Sequence, residues 1–218
     1  MRRRLYSITI CTKGEIEVNA EIDKLLEIDK LFNDWLHSTA SPEERMIWGR
    51  AKELEEEFFG DMMLADVESE LNIDYQQVNI TISWKWRFLV QDLKNGVLGA
   101  CEYDDRCIII GSTCANDDYI LLHEMIHAYE GMLGQGWTKI YQQVLTLLLY
   151  EKLKDRFSDL LSIVKAAAKT DQAERTGFVH SPLFLLKSLD LDDRLRLPWG
   201  TIHGYEQRDV IDALQVMK

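Results

Sequence analysis

Leu121-Leu122-His123-Glu124-Met125-Ile126-His127 is the stretch that most restricts what this chain can be. It contains the pattern H-E-x-x-H with apolar residues around it, as expected for a helix that is partly buried. Because residues four apart in an α-helix lie on one face, a single turn apart, the two imidazoles are expected to lie side by side. We therefore expect His123 and His127 to bind one metal ion together.

Glu124 lies next to the first histidine and is expected to act as a general base on water, without binding the metal itself. Zinc is the fitting ion, because it accepts histidine nitrogen in a tetrahedral site and lowers the pKa of bound water to about 7. A catalytic zinc site also needs a third protein ligand and an open fourth position. The residues alone leave Glu151, His180 and His203 as candidates for the third ligand.

Local patterns around this motif predict a helix-rich α+β fold. Asn116-Asp117-Asp118 supplies a cap and an acidic first turn to the motif helix, which Gly131 is expected to end. Upstream, apolar residues alternate with polar ones from Val78 to Trp84, and this alternation predicts a strand. The β-branched run within Arg106 to Ile110 predicts a second strand.

Further helices are predicted on both sides of this core. Asn19 caps a first amphipathic helix, and Ser41-Pro42-Glu43-Glu44 supplies the N-cap, proline and capping-box glutamate of a second. The spacing of apolar residues over 138–169 predicts one or two helices with an apolar face. Ser181-Pro182 is expected to start a short helix, and residues 208–217 are expected to form another.

Composition and charge limit the classes of function. The 218 residues include 25 Lys+Arg and 37 Asp+Glu, and residues 15–70 alone hold 17 acidic and 5 basic side chains. The acidity of this segment argues against nonspecific nucleic-acid binding there, while the remainder is balanced. Only 3 Pro and 12 Gly are present, which excludes collagen-like and low-complexity classes.

Cysteine usage and hydropathy bear on the compartment. The four cysteines form no C-x-x-C pair, so they predict neither a zinc ribbon nor a thioredoxin-like motif. They are typical of reduced thiols in an intracellular protein, either cytoplasmic or nuclear. The apolar stretches Leu5 to Cys11 and Val144 to Tyr150 are too short for a secretion signal and a membrane span, so we expect neither.

Several segments resemble the SprT-like, or Spartan-type, zinc metalloprotease family. Leu121–Tyr129 is similar to its active-site helix, and His180-Ser181-Pro182-Leu183-Phe184 is similar to its His-Gly-Pro-x-Phe element, with serine in place of the glycine. Ile80–Trp84 and Gly99–Tyr103 resemble the family's strand and its Gly-x-Cys-x-Tyr hairpin. The resemblance covers about residues 78–190.

This resemblance implies an α+β zincin-like metalloprotease domain with a small β-sheet, an active-site helix and a helical C-terminal half. Residues 1–218 would form one SprT-like domain. Its parts would be N-terminal acidic helices at 1–75, a catalytic core at 76–190 and a C-terminal segment at 191–218. A helical insertion at about 138–170 would account for the long interval before the third ligand.

The resemblance also implies the site and the reaction. His180 becomes the third zinc ligand beside His123 and His127, because the family histidine in that element binds zinc. The implied reaction is hydrolysis of protein substrates, with Glu124 as the base. Two alternatives stay open: a regulatory zinc protease that is independent of DNA, and a noncatalytic zinc-stabilised interaction module with a closed coordination shell.

Spartan-type proteases cleave proteins crosslinked to DNA, so the resemblance implies a role in DNA repair and single-stranded or disrupted DNA as a partner. The candidate contact is Trp86 with Lys85 and Arg87. An aromatic ring there could stack on an unpaired base while the two cations meet phosphates.

Overall fold

The computed structural model describes residues 27–59, 85–133, 139–157, 159–165 and 180–204. Within these ranges the chain is α+β, with helices around a three-stranded sheet. The cap at Asn19, the strand at 78–84 and the helix at 208–217 were predicted for segments outside the described residues. No helix in the described ranges combines the length and apolar character that crossing a membrane requires.

Before the sheet, two helices lie within the described range 27–59. The first, α1, is helical over 27–34 and continues as a π-helix at Trp35–Thr39. The second, α2, is Pro42–Phe58, and its capping box is confirmed. Ser41 Oγ accepts a hydrogen bond from the Glu44 N–H at 3.2 Å, and the Glu44 carboxylate accepts one from the Ser41 N–H at 2.7 Å. The apolar side chains that these helices bury are Ile28, Phe32, Trp35, Ile47, Ala51 and Phe58.

The sheet has the order β1-β3-β2. Its strands are β1 (Arg87–Gln91), β2 (Gly99–Glu102) and β3 (Cys107–Gly111), so the second predicted strand is confirmed as β3. β1 runs parallel to β3, and β2 runs antiparallel to it, which makes β2 and β3 the hairpin that the resemblance implies. Every residue of the central strand is buried.

The motif helix, α3, spans Asp118–Leu133. Its cap is confirmed at Asp117, whose Oδ1 accepts hydrogen bonds from the N–H groups of Tyr119 and Ile120. The expectation that Gly131 ends the helix is wrong, because the helix continues to Leu133. Gly131 serves a tertiary contact: a Cβ there would lie 2.1 Å from ring atoms of Tyr103.

After α3, the described residues contain three further helices. They are α4 (Lys139–Leu153), α5 (residues 160–165) and α6 (Pro182–Leu195). The prediction of one or two helices within 138–169 is therefore confirmed in the described residues, with a turn at 154–156 between them. α6 packs against both α3 and α4. Ser181 caps α6 by accepting hydrogen bonds from the two N–H groups at 183 and 184, as predicted. α6 is longer than expected and continues across the predicted boundary at 190.

A group of charges centred on the buried residues Lys187 and Asp190 fixes α6 against the end of α2. The Nζ of Lys187 donates to the Phe58 carbonyl at 2.7 Å and lies 3.5 Å from the Asp190 carboxylate. Arg194 donates to the same carbonyl at 3.0 Å, and Lys152 pairs with Asp190 at 2.5 Å. The last carbonyls of a helix lack partners within it and carry partial negative charge. The two cations on α6 therefore stabilise the C-terminus of α2.

The contact between Gly131 and Tyr103 can be tested with a matched pair of alanine variants. Gly131→Ala should lower the free energy of unfolding by about 1–3 kcal/mol, because the new methyl group overlaps the Tyr103 ring. Gly49→Ala, in α2, meets no atom within 4 Å and should raise it by roughly 0.5–1 kcal/mol, the usual gain for alanine inside a helix. Urea denaturation measures both, and equal stability of the two variants would contradict the contact.

Candidate metal centre

The fold brings the three predicted zinc ligands together. α3 presents His123 and His127 on one face, and the residue just before α6, His180, lies against both. The ring centroids are 5.1 Å apart in each of the three pairs. One ligand atom from each side chain lies within 4.8 Å of the other two, which is close enough for all three to contact one ion.

Phe184 fixes the planes of these rings. Its side chain is fully buried and stacks on His180, with the centroids 4.0 Å apart and the planes 7° apart. The same ring lies 4.8 Å from His123 and 4.4 Å from His127. Because a phenyl ring has no hydrogen-bonding group, it holds the imidazoles without occupying their nitrogens. This packing gives a physical reason for the phenylalanine four residues after His180.

Glu130 holds the start of α6 beside His180. Its carboxylate accepts a hydrogen bond from the Ser181 hydroxyl, while the same hydroxyl oxygen caps α6. The contact joins residues 51 positions apart, so no local pattern in the sequence indicates it. It links the last turns of α3 to the backbone that carries the third histidine.

A loop after α6 sets the orientation of His123. Its Nδ1 lies 2.9 Å from the Ile202 carbonyl oxygen. A carbonyl can only accept, so Nδ1 carries the proton and Nε2 is left to bind a metal. Gly204, at φ +86°, lies against the same ring, since a Cβ there would be 3.8 Å from the imidazole Cε1.

Burial keeps the imidazoles neutral. It lowers the pKa of His127 to about 3, with further lowering by the nearby His123 and His203. It likewise lowers the pKa of His180 to about 2, and it lowers that of His123 against the opposing effect of the bond to Ile202. Only the neutral form of imidazole binds a metal, so protons compete weakly for these nitrogens at neutral pH.

The residues present fit a zinc ion. Nδ1 of His180 is buried and has no hydrogen-bond partner within the described part of the chain. A buried polar nitrogen without a partner is costly, and a metal bond would remove that cost. Three neutral imidazoles suit zinc, although other first-row divalent ions also accept this donor set.

Glu124 is buried beside the edge of the sheet at β2. A Cβ at Gly99 would lie 2.6 Å from its Oε1 and 2.8 Å from its Cγ, so only glycine leaves room for this carboxylate. Successive alternate residues of a strand share one face, which puts Cys101 on the same face as Gly99. Burial first, and the charge of Glu124 second, raise the pKa of the Cys101 thiol, so it is neutral. The Gly-x-Cys-x-Tyr pattern is thus a surface shaped to fit α3.

Neither rival ligand belongs to the group of converging ligand atoms. Glu151 is exposed on α4 and forms an ion pair with Lys154. His203 is buried with its ring 4.6 Å from that of His180, yet it does not join the group of mutually close ligand atoms. Across the ranges that the structure describes, three residues rather than four therefore converge on the candidate metal position.

The predicted DNA contact is only partly compatible with the structure. Trp86 is 1% exposed and belongs to the core. Its ring therefore offers no face to a base, and this burial contradicts the predicted stacking. Lys85 forms an ion pair with Asp29. Arg87 donates to the Asp105 carbonyl at 3.2 Å. Phosphate contacts by these two cations stay a prediction.

No protein-family model, curated protein or solved structure matches this chain. The resemblance to SprT-like metalloproteases therefore rests on the residues quoted above.

Replacing His180 tests the third ligand. His180→Ala should weaken zinc binding by more than about 100-fold, the upper end of the loss caused by removing an outer partner of a ligand. Glu151→Ala, which removes an exposed carboxylate, should leave it unchanged. Competition with a chromophoric chelator measures both affinities. If Glu151→Ala abolishes binding and His180→Ala does not, the ligand set is wrong.

Proposed function

We propose that this chain is a zinc-dependent endopeptidase. The observation that carries the proposal is the convergence of His123, His127 and His180, with Glu124 next to the first of them and packed against Gly99. Structural zinc sites have four protein ligands, whereas catalytic ones have three and keep one position open. The group of three favours the catalytic alternative over the noncatalytic interaction module.

In this proposal each side chain has one task. The three histidines hold the ion through neutral nitrogens, and Ile202 keeps the Nδ1 proton of His123 in place. When bound, zinc supplies Lewis-acid chemistry that polarises a carbonyl and lowers the pKa of water to about 7. The Glu124 carboxylate takes a proton from the attacking water and then delivers it to the leaving amine nitrogen.

The substrate is proposed to be protein, because the active-site helix and the His180–Phe184 element resemble a protease family. We further propose that hydrolysis does not require DNA. The one aromatic side chain assigned to base stacking, Trp86, is buried, and Lys85 is already paired with an acidic partner. The acidic segment at 15–70 would in addition repel phosphate.

Glu124→Gln separates catalysis from metal binding. The amide cannot accept the proton, so the variant should bind zinc like the wild type and lose hydrolysis of an unstructured protein such as casein. The matched control is Glu151→Gln, which makes the same chemical change at an exposed site outside the histidine group and should retain full activity. Full protease activity in Glu124→Gln would rule out this mechanism.

The independence from DNA can be measured with the same assay. Hydrolysis by the wild type should be unchanged by single-stranded DNA, at low and at moderate salt. Stimulation that weakens as salt rises, and that Lys85→Ala with Arg87→Ala removes, would contradict this part of the proposal, because phosphate contacts have such a salt dependence.

A further inference from the structure

We infer that Asp192 is a positioning residue for His123, acting through the loop at 197–204. The inference concerns how tightly the candidate site holds zinc, and that consequence rests on the proposed function. The hydrogen-bonded path itself does not depend on a bound ion.

Both oxygens of the Asp192 carboxylate accept hydrogen bonds from the loop. The residue lies in the last turn of α6 and is completely buried. Its Oδ2 accepts a hydrogen bond from the Gly200 N–H at 2.7 Å, and its Oδ1 accepts one from the Ile202 N–H at 3.0 Å. A buried carboxylate is tolerated only where such bonds satisfy it, and bonds to a charged acceptor are stronger than neutral ones.

From Ile202 the path leads to the metal ligand. The residue whose N–H bonds to Asp192 also supplies the carbonyl that accepts the Nδ1 proton of His123. Only the φ and ψ angles of Ile202 separate this N–H from the carbonyl. The bond from the Gly204 N–H to the Gly200 carbonyl closes a turn around Ile202 and limits both angles, so fixing the N–H restricts where the carbonyl can lie. Asp192 therefore holds the acceptor that orients His123, although it does not contact the imidazole in this path.

The backbone around Asp192 explains why the loop returns to this point. Arg196 adopts a left-handed conformation at φ 55°, and the N–H of Leu197 bonds back to the Asp192 carbonyl at 2.8 Å. This is a Schellman ending of the helix, which reverses the chain immediately after α6. The Gly204 N–H then bonds to the Gly200 carbonyl at 3.1 Å. The side chain and backbone of Asp192 together set the course of the loop.

Two measurements on Asp192→Asn test the inference. Asparagine keeps the shape but has only one oxygen, so one of the two loop bonds is lost. In metal-free wild type, ¹H–¹⁵N correlation spectra should show His123 protonated at Nδ1, and the variant should show a mixture of tautomers. Zinc affinity, measured by chelator competition, should fall by roughly 10-fold, the lower end of the loss for direct partners of zinc ligands, because Asp192 acts through such a partner.

The control is Asp193→Asn, which changes the neighbouring carboxylate. Asp193 is partly exposed and pairs with Arg156 at 3.1 Å, away from the loop bonds. The Asp193→Asn variant should leave the His123 tautomer and the zinc affinity unchanged. If Asp192→Asn fails to fold, Asp192→Glu takes its place, because it keeps the charge but displaces the acceptors by one methylene group.

Three results distinguish a failure of the inference about Asp192 from a failure of the proposed function. An Nε2-protonated His123 in the wild type would overturn the inference, with or without zinc binding. Equal zinc affinity of the folded Asp192 and Asp193 variants would also overturn it and would leave the proposed enzyme intact. A wild type that shows the expected tautomer but binds no zinc would support the path and defeat the proposed function.

Discussion

The packing of three neutral imidazoles around the ring of Phe184 is the constraint on which the rest of this structure depends. Removing the rings from water lowers their pKa values, so the cluster avoids the repulsion that three imidazolium groups would suffer. Neutral nitrogens that are buried still need partners. His123 finds one in a backbone carbonyl, while Nδ1 of His180 has none among the described residues, and a shared metal ion would complete the set.

α6 is the element that satisfies this constraint. His180 lies just before this helix and Phe184 lies in its first turn, and Glu130 on α3 anchors that end through the Ser181 hydroxyl. Further along the helix, Lys187 donates a hydrogen bond to the last carbonyl of α2. Asp192 accepts hydrogen bonds from the loop at 197–204, which returns to His123. One helix thus connects the third ligand, the apolar platform and the orientation of the first ligand. Two of its buried charged residues, Lys187 and Asp192, bond to backbone groups of other segments.

Part of the fold and of the candidate site can be predicted from local sequence patterns. The spacing of His123 and His127 follows from the pitch of a helix, and serine caps are recognised within four residues. The position of His180 depends on 52 intervening residues, so only the family resemblance indicated it. The prediction that Gly131 ends the helix is wrong because its packing against a ring from another element leaves no local pattern in the sequence. The burial of Trp86 belongs to the same class of tertiary information.

The central claim is that three histidines and no fourth protein side chain bind zinc. X-ray absorption spectroscopy of the zinc-loaded protein examines that coordination shell most directly. The account predicts one ion per chain, with three imidazole nitrogens at about 2.0–2.1 Å and a fourth ligand that is a light atom from solvent. Loss of one nitrogen in His180→Ala would identify the third ligand. A shell of four imidazoles unchanged in Glu124→Gln and reduced in a His203→Ala variant would contradict the claim, since His203 would then close the site.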